Sequence, residues 1–525
     1  MRAKAILLPI LCLCLAALAC SRADVTTQGG IGSGSDIGIG ETQAPQTPTG
    51  EASSLLDEFA TEEPIATATP TPNAPEPLTM PTFPPTPTLP EGEFPDTILY
   101  ESQPGDTPLA VAVRFGVLPE ELVSAGGSLP EEGSLIDPGT LLVIPRRLGL
   151  TGPDEKLIPD SEMVFSPHAS DFDVEAFVAS QGGFLNQYGE YVSGHWRSGA
   201  QALAIAARDN TTNPRLLLAL LEYYTHWVTD PAPAYGDALR YPLGYRESKA
   251  SGLYHQLTWL ANELGSGYYE WRAGKLTELE FADGSRVRLA PGLNAGTVAL
   301  QYHFSQHVSG PAWEEALGPQ GFMATYEAFF GDAWAKEHPL FEPGVRQPEM
   351  ILPFLEGRRW SFTGGPHGAW VREAAWAAID FAPVLTTGGC AVSRDWAVAA
   401  AAGLVVRSED GVVALDLDGD GREQTGWVLI YLHVATQDRV EVGTFVEQGD
   451  LIGHPSCEGG PATGSHIHLV RKYNGEWILA DGPLPFELSG WVVHAGAKAY
   501  QGALVKGDQV VLACPCATAE TLIQR

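Results

Sequence analysis

Basic residues are scarce in this 525-residue chain: 31 Lys and Arg stand against 64 Asp and Glu, a formal net charge of −33. A nucleic-acid partner needs a basic face to neutralise phosphates, so that class is excluded. The apolar stretch near the start, Ile6 to Leu18, is too short to span a bilayer, which takes about 20 residues. Cysteine is sparse as well, seven in all, and Cys12, Cys14 and Cys20 fall at the N-terminus. Cys390, Cys457, Cys514 and Cys516 remain, and four cysteines in an exported chain allow three disulfide connectivities. Cys390–Cys457 is the expected pair, since both lie in one expected domain; the spacing of Cys514-Pro515-Cys516 does not suit a zinc knuckle. Large apolar residues are few from Ser21 to about Gly92, where Thr, Pro, Gly and Ser crowd together. Such a segment cannot bury enough surface to offset its ordering entropy, so residues 21–96 are expected to be a disordered Pro/Thr-rich tether. A chain of this length should hold several domains, because single cores stop growing at about 250–300 residues.

Arg2 and Lys4 precede the short apolar stretch, and small residues follow it. That order reads as a secretion signal over residues 1–20. Ala17-Leu18-Ala19-Cys20 resembles a bacterial lipobox, although Leu18 stands two positions before the cysteine rather than the usual three. The resemblance implies a diacylated Cys20, each buried CH₂ adding about 0.8 kcal/mol of anchoring. The expected location is the outer face of the cell membrane, in contact with the cell wall, with no membrane attachment except the lipid anchor.

Within 97–147, strand-like Thr97-Ile98-Leu99-Tyr100 runs into Gln103-Pro104-Gly105-Asp106-Thr107, a turn ending in a helix N-cap. A short helix carrying Leu109, Ala112, Val113 and Phe115 follows, and a second helix is expected from Pro119 with Leu122 inward. Pro138-Gly139-Thr140 then turns into the buried strand Leu141 to Pro145. The unit resembles a LysM domain, a family that binds N-acetylglucosamine-containing glycans of peptidoglycan or chitin. The resemblance implies glycan contacts at Gly105, Asp106 and Thr107. It departs from the family where Gly126-Gly127 replaces an Asn after the second helix.

Residues 160–345 are helix-rich. Ala200 to Asp209 has helical periodicity, Asn213-Pro214 opens a helix running from Leu216 to Val228, and Asn294-Ala295-Gly296 opens another from Thr297 to Phe304. Asn213-Pro214-Arg215-Leu216-Leu217-Leu218-Ala219-Leu220 resembles a helix of lysozyme-like lytic transglycosylases, which place a catalytic Glu eleven residues after the Pro. Thr225 stands there instead, and glycoside cleavage needs a general acid. The resemblance therefore implies a degenerate domain that binds or spaces, with Glu222 a solvated or hydrogen-bonded helix residue.

From about 350 the pattern changes to short strands and Gly-rich turns, namely Ala397–Ala401, Leu404–Val406, Val412–Leu415, Trp427–His433 and His466–Val470. This reads as an antiparallel β domain over 350–525. Histidine and carboxylate gather in three of its segments: Thr363 to His367 with Ala378 to Pro383; Tyr431-Leu432-His433; and Gly464-Ser465-His466-Ile467-His468. Alternation along a strand aims His466 and His468 at one side. Two imidazoles with a remote His and Asp suit a zinc ion that keeps one position open.

The order of these segments resembles the LytM/lysostaphin family of zinc endopeptidases over roughly residues 362–472. The expected fold is thus multidomain: a small α+β LysM domain, a helix-rich, lysozyme-like middle domain, and a C-terminal antiparallel β LytM/lysostaphin-type domain with a β extension. The resemblance implies that His367, Asp380 and His468 hold Zn²⁺, that His466 is the general base and that His433 stabilises the oxyanion. Twelve residues, Gly368 to Ile379, separate His367 from Asp380 where the family has three, so they are expected to loop out. Glu373 in that insertion competes with His367 as ligand. Asp416-Leu417-Asp418-Gly419-Asp420-Gly421 opens like an EF-hand loop but has Trp427 at position twelve, so a hairpin turn is expected. The implied activity is hydrolysis of peptide bonds in the stems or cross-bridges of peptidoglycan. The alternative is a degenerate scaffold that binds the wall and regulates another hydrolase.

Overall fold

In the N-terminal part, three antiparallel strands, β1 (Thr97–Glu101), β2 (Val123–Ser124) and β3 (Leu141–Pro145), lie in the order β1-β3-β2. Leu142 and Ile144 of β3 point inward with Tyr100, Val111, Phe115 and Leu122, while Leu141 faces solvent, the period-2 pattern of a half-buried strand. Helix α1 (Pro108–Phe115) begins where Thr107 Oγ1 accepts the Ala110 N–H and stops at Gly116, whose φ of 67° suits a glycine C-cap. The helix expected from Pro119 is instead a single 3₁₀ turn, Pro119–Glu121, followed directly by β2. A longer helix there would run into Gly126-Gly127, which lose the most backbone entropy on ordering.

The computed structural model describes residues 96–124, 126–370, 374–384, 389–516 and 518–525, and these form one compact unit of mixed helices and antiparallel sheets. The expected signal segment 1–20 with Cys20, the tether up to residue 95, and Glu373 lie outside the described residues.

The middle of the chain supplies helices α2 (Gly199–Asp209), α3 (Pro214–Thr225), α4 (Leu253–Arg272) and α5 (Ala295–His307). Ser198 and Gln201 close a reciprocal capping box on α2, and Asn213 caps α3 through the Arg215 N–H. The expected run to Val228 ends early: His226 turns left-handed at φ 57° and closes α3 at Thr225. The twenty-residue α4 was not foreseen, yet Leu253, Leu257, Leu260, Leu264, Tyr268 and Trp271 recur at three- and four-residue spacing, and all are buried. Among the described residues no helix is long and apolar enough to cross a membrane.

A nine-stranded sheet organises the rest. Its strands are β4 (Arg359–Gly368), β5 (Trp376–Pro383), β6 (Gly403–Glu409), β7 (Val412–Asp416), β8 (Trp427–Leu432), β9 (Phe445–Val446), β10 (Ile467–Tyr473), β11 (Glu476–Trp477) and β12 (Leu522–Gln524). The antiparallel order is β9-β6-β7-β8-β10-β5-β4-β12, with β11 beside β10. Both faces are buried. Val413, Leu415, Leu429, Tyr431, Leu469 and Phe381 fill one core, while Val412, Ala414, Val428, Ile430 and Val470 join the core of the helices. Each fully buried Val, Leu or Ile contributes about 1.5–3 kcal/mol, so neither face is a minor partner.

Charges tie the helices to that sheet. Arg407 on β6 reaches Asp209 at the end of α2 at 2.8 Å and Glu423 at 2.8 Å, and Lys472 on β10 reaches Glu423 at 3.1 Å. All four side chains are buried. Burial alone would raise the Glu423 pKa, but Arg407, Lys472 and Arg208 bring it down to about 2. Replacing Arg407 with Ala removes the shared partner of two buried carboxylates and should cost about 3 kcal/mol, read from the urea midpoint at pH 7. A depressed carboxylate stabilises fully above its unfolded pKa of about 4.3 and less as pH falls toward its folded value. The advantage of the native chain over Glu423→Gln should therefore shrink between pH 5 and pH 3, measured by the same titration.

Candidate metal centre

Strand register assembles the candidate site. Asp380 on β5 lies directly opposite His468 on β10, and His367 on β4 pairs with Ala378, two residues from Asp380. Side chains two apart on a strand share a face, so three neighbouring strands present His367, Asp380 and His468 in one row. That is the face that the helical core covers, since Ala378 and Val470 belong to that core. His466 immediately precedes β10 and bridges Ser456. His433 follows β8, whose last residue, Leu432, pairs with His468; its φ of 65° turns the ring back over the row.

The insertion Gly368–Ile379 does not loop out as expected. β4 and β5 continue into it as a hairpin, with Gly368 opposite Trp376, and three register irregularities in β4 between Phe362 and Gly368 set His367 beside Asp380. A hairpin returns to its starting point whatever its length, so the extra residues do not separate the two side chains.

Within the row, His367 Nε2 stands 3.0 Å from His468 Nδ1, and each is 3.4 Å from Asp380 Oδ1. The other nitrogen of each ring faces a backbone carbonyl: His367 Nδ1 donates to Gly365 O at 2.8 Å, and His468 Nε2 to Ala369 O at 3.1 Å. In the neutral rings this network assigns the facing nitrogens their lone pairs. Both facing nitrogens converge on Asp380 Oδ1, a buried carboxylate oxygen. A positive charge between the three atoms satisfies all of them at once. Tetrahedral zinc with bonds of about 2.0–2.1 Å needs donors about 3.3 Å apart, which the three spacings match. The carbonyl partners are the outer contacts that fix ring tautomers in such sites.

His466 Nε2 lies 3.7 Å from Asp380 Oδ1 while its Nδ1 donates to Gly464 O at 2.7 Å. His433 Nδ1 donates to Glu458 O at 2.8 Å, and its ring sits 4.4 Å from that of His466. Both therefore offer Nε2 lone pairs beside the row. Burial first, then His466 and His468, push the His433 pKa down to about 4, so the ring is neutral at neutral pH. Burial also lowers the His468 pKa. It would raise that of Asp380, but the surrounding imidazoles override it and hold the carboxyl well below its usual range. His466, with 16% of its side chain accessible, is the most exposed of the five and marks the opening to solvent.

Cys390 and Cys457 form a disulfide, as do Cys514 and Cys516. The first holds the loop that carries Glu458 O, the anchor of His433. The Gly105-Asp106-Thr107 turn is buried rather than presented to a glycan. Asp106 accepts from Tyr100 Oη at 2.6 Å and from Arg114 at 2.7 Å, Thr107 caps α1, and a Cβ on Gly105 would strike the Arg272 guanidinium. Glu222 is hydrogen-bonded: its carboxylate accepts from the Val228 and Thr229 N–H groups and the Thr229 hydroxyl, closing the C-terminal turn of α3, and Thr225 Oγ1 bonds Leu221 O. Asp416 accepts three backbone N–H groups from the connection between β7 and β8, the expected hairpin turn. Tyr500, stacked on His367 at 4.1 Å, and the anchoring carbonyls of Gly365, Ala369, Glu458 and Gly464 had no sequence signal, because any residue supplies a carbonyl.

Residues 156–342 match the family model described as LasA, N-terminal domain. The chain is 24% identical over 346 residues to Protease LasA of Pseudomonas aeruginosa strain PAO1, an alignment covering 62% of this chain and 75% of that protein. Among solved structures it is similar to the deep-sea M23 metalloprotease pseudoalterin, with a TM-score of 0.28, 21% identity, and coverage of 32% of this chain and 96% of that one. It is also similar to a putative peptidase M23 from Pseudomonas aeruginosa, with a TM-score of 0.19, 24% identity, and coverage of 27% of this chain and 55% of that one.

Gly364 faces Asp380 across the sheet, and a Cβ there would come within 2.5 Å of Asp380 Oδ2. Gly364→Ala should displace the carboxylate and weaken zinc affinity about 10–100-fold, the range seen when support around a ligand is lost. Competition with a zinc chelator measures it.

Proposed function

We propose that this chain is a zinc-dependent endopeptidase that hydrolyses peptide bonds of peptidoglycan outside the cell. The observation that carries the reading is the convergence of His367 Nε2, His468 Nδ1 and the buried Asp380 Oδ1 within 3.0–3.4 Å of one another. His367, Asp380 and His468 would hold the ion through Nε2, Oδ1 and Nδ1. Zinc, when bound, polarises a carbonyl and lowers the pKa of a water to about 7. The likeness to Protease LasA supports a peptidase.

His466 Nε2, held toward the row by the Nδ1 bond to Gly464 O, takes the proton of the attacking water. The resemblance gives His433 the role of oxyanion donor, and the geometry sets a condition on it. With Nδ1 committed to Glu458 O, a neutral His433 offers only an acceptor, so it donates only after gaining a proton. The closely packed His466 and His433 rings therefore share one proton during turnover: accepted from water, held on the imidazole in a hydrogen bond to the oxyanion, then transferred to the leaving amine. Asp380 stays ionised and supplies the negative charge that holds the ion.

His468→Ala in the full chain should lose both bound zinc and cleavage of a peptidoglycan cross-bridge peptide. His466→Ala should keep zinc at this row and lose about 10²–10⁴-fold in turnover, the usual worth of a general base. If His466→Ala empties the row while His468→Ala does not, the two roles are exchanged; if neither substitution changes metal or turnover, the reading fails.

A further inference from the structure

A second set of donors lies in the helical part, apart from the row just described. Glu263 projects from α4, and His303 and His307 from α5. His303 and His307 are four residues apart, so they share one helix face. That face is turned to α4: His303 Nδ1 is 2.6 Å and His307 Nε2 is 2.8 Å from the same oxygen, Glu263 Oε1. The imidazoles pack together with centroids 4.9 Å apart. His303 is buried, whereas the side chains of Glu263 and His307 are 18% and 34% accessible, which leaves a way in from solvent.

We infer that Glu263, His303 and His307 form a second site for a divalent transition ion such as zinc, clamping α4 to α5. Two histidines at i and i+4 with a carboxylate from the facing helix are the donor set and spacing that helices use to hold zinc and similar ions. The outer contacts suit that role. His303 Nε2 lies 2.8 Å from Tyr224 Oη, which fixes the ring and takes up its proton position when Nδ1 gives its lone pair to an ion. The Tyr245 ring packs edge-on against His307 at 5.7 Å, and its buried hydroxyl lies against the Glu263 carboxylate, an outer contact to that ligand. Binding requires no net loss of protons from the rings: each moves its proton to the other nitrogen. The His–Glu contacts lengthen by about 0.5–0.7 Å to reach zinc-bridged spacing, within the reach of side-chain rotation.

The test is the zinc content of the full chain, equilibrated with zinc and then dialysed, read by elemental analysis against protein concentration. Two ions per chain are expected for the native sequence and one for each of His307→Gln and Glu263→Gln. Far-UV circular dichroism identifies any variant that fails to fold. The two variants change different helices, and Glu263→Gln keeps the shape of the side chain. In cobalt-loaded His468→Ala protein, visible absorption should persist and vanish when Glu263→Gln is added, which separates this site from the row on the sheet. Zinc content unchanged by both Glu263→Gln and His307→Gln would overturn the inference, whatever the fate of the first site. Loss of one ion only on His468→Ala, with none lost from the helical variants, would overturn it as well.

Discussion

Two imidazole nitrogens held 3.0 Å apart beside a buried carboxylate oxygen impose a constraint on the whole C-terminal half. Several features keep that arrangement in place. Gly365 O and Ala369 O hold the rings by their far nitrogens, Tyr500 lies flat on His367, and the register of β10, β5 and β4 fixes the backbone beneath. Burial makes the carboxylate's charge costly unless positive charge accompanies it. The sheet sets the geometry of the three donors.

The same sheet explains why the helices belong to this unit. Its strands bury both faces, and the face carrying the histidines continues into the helical core. Arg407 crosses between the two layers to Asp209, and Lys472 joins it at the buried Glu423. Buried ion pairs are weak sources of stability compared with apolar contacts. Their use lies in direction: the contact closes only when α2 and β6 meet in one relative position.

Much of this was legible in the sequence. Period-2 alternation placed His466 and His468 on one side, and the chain order of the histidine segments placed Asp380 and His433 with them. The hairpin from β4 to β5 was not legible, because its three register irregularities leave no compositional mark and the long insertion suggested a loop. Helix α4 carries an apolar stripe but opens at Gly252 with no side-chain cap, so it lacks the start signal that Asn213-Pro214 gives α3. Asp106 and Thr107 show the opposite failure. The LysM resemblance implied a ligand there, but a buried turn needs the same residue types to satisfy its own backbone.

The irregular register of β4 makes the chain unequal in its tolerance of length changes. Between Ala369 and Ala375, which are themselves hydrogen-bonded and buried, residues can be added or lost while the paired strands stay aligned, because the crossing at Gly368 and Trp376 holds the register. Between Gly364 and His367 there is no such freedom. Removing one residue there would turn the imidazole to the opposite side of the sheet, where Phe362, Phe381 and Ile379 already fill the space. Natural variation in length should therefore collect at the tip and spare the three residues that lead into His367.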